Sequence, residues 1–319
     1  MKRTIHIAVL VFALLLAMVG TASANGGPHG GYTATTDSCA GCHRAHTATG
    51  PNLLMHDSSY ALCMTCHGST GTGANTNVDD GYYLSTRDDA AGDGDHGAAN
   101  TPDNASLLGG GFVNYGGVPV TSIHMPDGTE DQAWGNGVAR GVTSALTEGG
   151  LSCASCHDPH GSPNYRIINE TVNGVAVAVA QVDEGAKDYD TEHWGSGTSS
   201  LCAACHGAYH VTRPGSGSDN QDDGSDDYGG DHSTFAHRVD MPYSYGANAN
   251  PETVGFDGYF LPLAEIDTVV CMTCHLPHGT SAQMTGITNA GGLPGETSAD
   301  DSALLRLDNR GVCEVCHQK

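Results

Sequence analysis

The pattern Cys-x-x-Cys-His occurs six times in this 319-residue chain, and the six copies use all 12 cysteines. We number the copies motif 1 to motif 6; they span 39–43, 63–67, 153–157, 202–206, 271–275 and 313–317. CxxCH is the site at which haem is attached covalently in c-type cytochromes. Two cysteines at this spacing lie about one helical turn apart, so each can form a thioether with one porphyrin vinyl group while the adjacent histidine ligates the iron. The motifs therefore predict a hexahaem cytochrome.

The motifs assign a role to each of their cysteines and histidines. The predicted thioether residues are Cys39, Cys42, Cys63, Cys66, Cys153, Cys156, Cys202, Cys205, Cys271, Cys274, Cys313 and Cys316. The predicted proximal ligands of the haem irons are His43, His67, His157, His206, His275 and His317. A redox-active pair, half of a zinc site or a disulfide framework also uses CxxC spacing, but none of them requires a histidine after every copy.

The first residues of the chain have the pattern of an export signal. Lys2 and Arg3 precede an apolar run over 5–19, which leads to small residues at 22–24. We expect residues 1–24 to be a signal peptide that is cleaved before Asn25. The apolar run is short for a membrane span, and the remaining sequence has no second one. The protein is therefore expected outside the cell or on its surface, with the periplasm as the alternative location.

The composition predicts little regular structure. Charged residues are 15% of the chain, below the roughly 25% of ordinary domains, and glycine is abundant at 45 residues. Only 175–182, with its Val/Ala alternation, has the pattern of a strand. Because each covalent porphyrin would add a large apolar surface, we expect the haems to form the core. The predicted fold is mostly irregular coil with short helices and few strands, wrapped around a linear haem stack.

The net charge of −24 makes nucleic acid an improbable partner and favours cations or basic redox proteins. Acidic residues cluster in two glycine-rich stretches, 88–95 and 219–231. Several carboxylates in such a stretch could bind one calcium ion, although neither stretch fits the EF-hand pattern. The alternative interpretation is a solvated surface loop. Calcium is thus a possible second cofactor.

The motifs form three pairs with different flanks. Motifs 1, 3 and 5 carry a second histidine three residues after the proximal one, whereas motifs 2, 4 and 6 lack it. This alternation predicts three tandem dihaem units, over about 25–115, 116–228 and 229–319, within a single body that covers 25–319. The additional histidines in the CHxxH sequences are His46, His160 and His278.

Each unit also has a histidine upstream of its first motif, so that two candidate distal ligands per unit match two haems. The predicted distal ligands are His29, His46, His124, His160, His237 and His278. His96 and His232 are the alternatives to His29 and His237, while His56, His193 and His210 are surplus. With so many histidines available, methionine ligation is unnecessary. We therefore expect six-coordinate, bis-histidine iron throughout.

A histidine three residues after a proximal ligand cannot easily reach the opposite face of its own haem, because the thioethers hold that segment on the proximal side. It is expected to ligate another haem and so to link neighbours. For His160 and His278 we expect this haem within the chain. His46, near the N-terminus, has fewer haems within reach and can face outward.

The order, pairing and flanks of the motifs resemble those of the OmcS-like hexahaem outer-surface c-type cytochromes, a family of extracellular cytochrome nanowires. The resemblance rests on Cys39-Ala-Gly-Cys42-His43-Arg-Ala-His46, Cys153-Ala-Ser-Cys156-His157-Asp-Pro-His160 and Cys271-Met-Thr-Cys274-His275-Leu-Pro-His278, and on a final CxxCH two residues before the end. It implies a bis-histidine haem chain with alternating parallel and T-shaped stacking. It also implies that His46 ligates the motif 5 haem of the adjacent subunit. This chain is shorter, more acidic and richer in glycine than the family.

The expected function is long-range electron transfer, since six-coordinate iron leaves no open position for a substrate. We do not expect an enzyme. The expected partners are redox proteins, extracellular electron acceptors and further copies of the chain. A discrete periplasmic or cell-surface electron carrier is the main alternative to a filament. A multihaem reductase, for nitrite or hydroxylamine for instance, is less favoured, because such enzymes resemble arrays with one five-coordinate haem and all six motifs here end in histidine.

Overall fold

The computed structural model describes residue 29 and residues 39–71, 74, 76–83, 107–182, 193–210, 236–243, 261–265, 267–285, 302–309 and 311–317. The predicted signal peptide, both acidic stretches, His96 and His232 lie outside these residues. The export and calcium interpretations therefore remain predictions. In the part of the chain that is described, no helix is long and apolar enough to cross a membrane.

The helices are short, and every CxxCH motif contains a helical turn. The α-helices are α1 Ser59–His67, α2 Cys153–Cys156, α3 Thr198–His206, α4 Cys271–Cys274 and α5 Gly311–Glu314. Single 3-10 turns span Cys39–Gly41 and Gly207–Tyr209, whereas Pro51–Leu53 and Tyr165–Ile167 form tight turns with positive φ. The sequence determines where α1 begins, because the Ser58 hydroxyl accepts a hydrogen bond from the Ala61 N–H at 3.1 Å and so caps this helix. One helical turn is what the two cysteines of each motif need to face the same porphyrin.

The described strands form two-stranded antiparallel sheets of two or three residues per strand. They are β1 Thr76–Asn77, β2 Tyr82–Tyr83, β3 Asn114–Tyr115, β4 Val118–Pro119, β5 Ser122–Ile123, β6 Gln132–Trp134, β7 Thr143–Ala145, β8 Thr171–Val172, β9 Val175–Ala176, β10 Met241–Pro242, β11 Thr268–Val269 and β12 Gly279–Thr280. The pairs are β1–β2, β3–β4, β5–β12, β6–β7, β8–β9 and β10–β11. Coil connects these elements, so the predicted fold class is confirmed.

Two of the hairpins have the turns that their sequences demand. Gly116 and Gly117 connect β3 to β4 with φ of 61° and 78°, and Asn173 and Gly174 connect β8 to β9 with φ of 51° and 77°. Two consecutive positive φ values define the tight turn that matches the twist of a hairpin. By contrast, β5–β12 pairs distant segments, with Ile123 opposite Gly279, and so joins the second predicted unit to the third.

The strand predicted over 175–182 is wrong in length, since only Val175–Ala176 pairs with another strand. The chain beyond it still alternates, with Val177 and Val179 each 4% exposed. Their backbone groups bind the buried amide of Asn164 instead of a strand. This amide donates to the carbonyls of Ile168, Asn169 and Val177 and accepts the Val179 N–H, at 2.9–3.2 Å. The Asn164 side chain thus takes part of the place of a partner strand, and backbone hydrogen bonds to Glu170, Tyr165 and Ser196 satisfy other groups of the segment.

A core of side chains surrounds the central motifs. The largest cluster of buried apolar residues comprises Leu107, Leu108, Tyr165, Ile168, Val172, Val177, Val179, Trp194, Leu201, Ala204, Ala264, Val270 and Met272, and the half-buried Cys202 and Cys205 pack against it. The Trp194 ring N–H donates to the Met272 carbonyl at 3.0 Å and fixes the indole in this cluster. All three predicted units contribute to the cluster, in keeping with one body, although the unit boundaries themselves remain predictions.

Asn164→Ala should lower the free energy of unfolding of the haem-loaded protein by about 2–4 kcal/mol, because it leaves several buried backbone groups without partners. Guanidinium unfolding would measure the change. The matched control is Gln181→Ala, which removes an exposed amide that donates to the nearby Pro163 carbonyl at 2.7 Å. This control should stay within about 0.5 kcal/mol of the parent protein. Equal effects of the two substitutions would contradict the role of Asn164.

Candidate haem-binding sites

Five imidazole pairs face each other at nearly the same distance. Each pair joins one proximal histidine to one predicted distal histidine. The ring centroids are 6.2 Å apart in His43–His160, 6.2 Å in His67–His29, 6.4 Å in His157–His278, 6.1 Å in His206–His124 and 6.3 Å in His317–His237. With metal–nitrogen bonds of about 2 Å on both sides, two imidazoles across one metal ion have centroids roughly 6.3 Å apart. The gap between the rings therefore fits one iron in every pair.

The pairs follow two rules along the chain. Motifs 1 and 3 face the CHxxH histidine of the next odd-numbered motif, which is His160 for motif 1 and His278 for motif 3. Motifs 2, 4 and 6 face the upstream histidine of their own predicted unit. Among the described residues, His275 of motif 5 and the exposed His46 are the predicted ligands with no imidazole opposite.

The cysteine sulfurs, which stand for thioether sulfurs in the haem-loaded protein, give the order of the motifs in space. Cys63 of motif 2 hydrogen-bonds with Cys153 of motif 3, and Cys202 of motif 4 with Cys271 of motif 5. The remaining neighbours interact through space: Cys42 with Cys63 and Cys66, Cys156 with Cys205, and Cys274 with Cys313 and Cys316. The six motifs are thus neighbours in the order of the sequence.

The contacting sulfurs alternate along this order. First cysteines meet where one predicted unit ends and the next begins, as in Cys63–Cys153 and Cys202–Cys271. Within a unit the cysteines interact through space, as in Cys156–Cys205, where burial and then the Cys205 charge raise the pKa of the Cys156 thiol to about 12. The junctions between units and the junctions within them therefore have different geometries.

A repeated turn orients the proximal histidines of the odd-numbered motifs. Nδ1 of His43, His157 and His275 lies 2.8–2.9 Å from a carbonyl oxygen, belonging to Asn52, Arg166 and Ala303 respectively. Because the carbonyl can only accept, Nδ1 carries the proton and Nε2 is free to bind iron. Each acceptor residue is the first of two consecutive residues with positive φ: 55° and 62° at 52–53, 53° and 52° at 166–167, and 49° and 62° at 303–304.

Sequence reasoning missed these turns. Residues other than glycine rarely adopt positive φ, and no glycine marks the turn in any of its three copies. The signal that could have found it is an apolar pair at 53–54, 167–168 and 304–305. In the first two copies the acceptor follows the proximal histidine by nine residues, but in the third the separation is 28 residues. This longer insertion hides the repeat from a search at constant spacing.

Burial favours the neutral form of several predicted ligands by lowering their pKa values. Burial lowers the pKa of His206 to about 4 and that of His278 to about 3. Burial also lowers the pKa values of His157 and His275. Since only an unprotonated nitrogen binds a metal ion, these side chains are kept in the form that ligates iron.

The two ends of the motif array are more exposed than its middle. Among the cysteines, Cys39 and Cys42 of motif 1 and Cys313 of motif 6 are exposed, whereas all those of motifs 2 to 5 are at least half-buried. The outer ligands His46, His237 and His317 are exposed as well. The inner motifs are covered by their neighbours, and the outer ones lack such a cover.

Of the surplus histidines, His210 has a clear partner. Its Nε2 lies 2.7 Å from the Asp240 carboxylate, and this hydrogen bond raises the pKa of His210 against the opposing effect of burial. His210 faces none of the proximal rings. It connects the end of motif 4 to the segment that carries His237.

Asp240→Asn should destabilise the protein at acidic pH and have little effect at alkaline pH. The folded-state pKa of His210 is raised, so its contribution is complete below the unfolded pKa of about 6.5 and disappears as the pH rises through the folded pKa. The backbone at residue 240 has a φ of 54°. Asn adopts this positive φ as readily as Asp does, so the substitution adds no backbone strain. Thermal unfolding between pH 5 and 9 would measure the difference, and His210→Gln should abolish it. A difference independent of pH would contradict the pairing.

Comparison with known proteins agrees with the motifs. Residues 32–72 and 144–175 match the doubled CXXCH motif family. C-type cytochrome OmcS of Geobacter sulfurreducens is 25% identical over 227 residues, which are 61% of this chain and 48% of that protein. The chain thus spans about half the length of this curated relative. Among solved structures, the outer membrane cytochrome S filament from Geobacter sulfurreducens matches with a TM-score of 0.40 and 17% identity, over 88% of this chain and 98% of that one. The chain is thus similar to C-type cytochrome OmcS, and its doubled CXXCH motifs indicate covalently attached c-type haem.

Proposed function

We propose that this protein carries electrons over long distances through six covalently bound bis-histidine haems, as a subunit of an extracellular filament. The observation that carries the proposal is the set of five imidazole pairs, whose ring centroids are 6.1–6.4 Å apart. Of the predicted ligands, His275 and His46 belong to none of these pairs among the described residues. The set accounts for the five haems of motifs 1, 2, 3, 4 and 6 within one chain. Among the described residues it also leaves His46 as a ligand without a partner ring and motif 5 as an incomplete site, and the two could join two chains.

The residues of each motif are suited to hold a haem. The cysteines would form the thioethers, and the proximal histidine and the ring facing it would ligate the iron. When bound, haem supplies reversible one-electron chemistry whose potential depends on the axial ligands and on burial. The chain keeps several of the ligating rings neutral and orients most of them through Nδ1. The five pairs would fill both axial positions of five haems, and a histidine of the next subunit would complete the sixth. With no open coordination position, electron transfer without substrate turnover is the activity that this arrangement favours.

The succession of the motifs supports a continuous electron path. Cysteines of neighbouring motifs interact at every step from motif 1 to motif 6, by a hydrogen bond in Cys63–Cys153 and Cys202–Cys271 and through space at the other steps, so that neighbouring porphyrins would lie close together. The exposed motifs at both ends would let electrons enter and leave. With a net charge of −24, basic redox proteins and extracellular electron acceptors are the expected partners.

The ligand rule of the odd-numbered motifs supports polymerisation. Motif 1 faces a histidine supplied by motif 3, and motif 3 faces one supplied by motif 5. The next odd-numbered motif after motif 5 is motif 1 of another copy. His46 in this motif is exposed and faces no other ring among the described residues. We therefore assign His46 of the next subunit as the distal ligand of the motif 5 haem.

His46→Ala should abolish filaments while leaving the haem content unchanged. The motif 5 iron would lose its distal ligand and give a high-spin signal in the oxidised spectrum, whereas the other haems would stay low-spin. Electron microscopy of the secreted protein and electron paramagnetic resonance would measure the two effects. His56→Ala is the matched control, because it removes a neighbouring histidine that faces no proximal ring.

Filaments that survive His46→Ala would contradict the link between subunits. Isolated particles of the parent protein with all irons six-coordinate would instead support the discrete electron carrier. In that case, a histidine of the same chain would have to ligate the motif 5 iron.

The haem count can be tested motif by motif. The intact protein should contain six haems, and Cys313→Ala combined with Cys316→Ala should leave five, as measured by mass spectrometry under denaturing conditions. Because both axial positions are filled, the reduced parent filament should not bind carbon monoxide. Carbon monoxide binding to the parent filament would contradict bis-histidine ligation and favour a reductase.

A further inference from the structure

The distal ligands of the even-numbered motifs have their own hydrogen-bond rule. Nδ1 of His29 lies 3.0 Å from the Pro159 carbonyl oxygen, and Nδ1 of His124 lies 2.8 Å from the Pro277 carbonyl oxygen. Both carbonyls belong to the residue just before a CHxxH histidine, which is His160 in one case and His278 in the other. Each upstream histidine is thus oriented by the unit that follows its own.

The third predicted unit departs from this rule. His237, which faces His317 at 6.3 Å, has its Nδ1 2.6 Å from the carbonyl oxygen of Arg238, its own neighbour in sequence. The 319-residue sequence has no CHxxH histidine after motif 6 that could supply such a carbonyl. His237 is exposed, so that a group from outside the chain can reach it.

We propose that in the assembled filament the backbone carbonyl of Ala45 of the next subunit accepts the Nδ1–H of His237 in place of Arg238. This inference rests on the proposed polymer. Ala45 precedes His46 as Pro159 precedes His160 and Pro277 precedes His278. One segment of the incoming subunit would then serve two haems, with the His46 ring on the motif 5 iron and the Ala45 carbonyl on the distal ligand of motif 6.

The proposed junction between subunits resembles the junctions within the chain only up to His46. The internal CHxxH histidines are followed by Gly161 and Gly279, but His46 is followed by Thr47. A Cβ at Gly279 would lie 2.3 Å from the Gly111 carbonyl oxygen and 2.7 Å from the Ile123 side chain. The close pairing of β5 with β12 therefore requires glycine and is not expected between subunits. Ala45 and His46 precede this position and are not subject to the restriction.

The consequence is that polymerisation acts on the motif 6 haem without supplying a ligand to it. A histidine whose Nδ1–H binds a carbonyl has a fixed ring orientation and a more basic Nε2. When His237 exchanges Arg238 for Ala45 of the next subunit, the ring takes the orientation that His29 and His124 have within the chain. Motif 6 is the last motif before the next subunit, so its haem becomes equivalent to the inner ones only after assembly.

Electron cryomicroscopy of haem-loaded filaments tests the contact directly. We expect Nδ1 of His237 within about 2.7–3.2 Å of the Ala45 carbonyl oxygen of the next subunit. Filaments in which His46 ligates the neighbouring haem while His237 keeps Arg238 would overturn this inference alone. Particles without any contact between motif 5 and another copy would overturn the proposed polymer together with it.

Electron paramagnetic resonance gives a second readout. The low-spin signal of the motif 6 haem, identified as the one that His237→Met shifts, should have a different largest g value in parent filaments and in H46A monomers. The motif 4 signal is the internal control, because His124 keeps Pro277 in both. Ala45→Pro retains the carbonyl and reproduces the residue at 159 and 277, so its filaments should show the parent signal. An unchanged motif 6 signal in H46A monomers, or loss of filaments in Ala45→Pro, would overturn the inference.

Discussion

The arrangement depends on pairs of histidines that face each other across the space of one iron. The two rings of a pair come from segments far apart in sequence, as in His43–His160 and His157–His278. A bond through a metal between such segments closes long loops, and cross-links of this kind stabilise mainly by restricting the unfolded chain. Because all 12 cysteines belong to CxxCH motifs, disulfides are not available for this purpose. The proposed ligand pairs would therefore take the place that disulfides have in small proteins with sparse cores.

Most of the facing imidazoles also have a second group that orients the ring through Nδ1, and these groups account for much of the irregular backbone. The turns that present the carbonyls of Asn52, Arg166 and Ala303 need two successive residues with positive φ, a conformation that costs energy in residues other than glycine. Backbone strain of this kind persists where the surroundings hold the segment firmly. Here the carbonyl of the turn binds Nδ1 of the proximal histidine. The apolar residue that follows the turn forms a β-bridge with the same histidine, as Ile168 does with His157.

The sequence predicts the parts of this arrangement better than their connections. The fold class follows from the composition, and the CxxCH copies together with the CHxxH and upstream histidines include every ring of the five facing pairs. Which ring faces which is a tertiary property, because His160 and His278 each cross from one predicted unit to another. The strand at 175–182 was overestimated because the Asn164 amide satisfies its backbone, and amides give no periodic signal. Apart from the Thr76 hydroxyl beside His67, the Nδ1 partners of these rings are backbone carbonyls, which every residue has, so that side-chain identity does not reveal them.

In the first two predicted units, a proximal histidine faces a ring of the following unit, and an upstream histidine binds a carbonyl of the following unit. The third unit has no such partner within the described residues. Motif 5 needs a CHxxH histidine from a following unit, and His237 needs a carbonyl from the same place, while motif 1 offers both groups at the exposed start of the array. A site at one end that fits a donor at the other is a heterologous contact, which produces rings or open filaments, in contrast to the closed dimers of self-complementary surfaces. The motifs are neighbours in space in the order of the sequence, and this arrangement favours the open filament. Motif 1 of the next copy would follow motif 6 just as motif 3 follows motif 2. In this view the filament is the same repeat continued across chain ends.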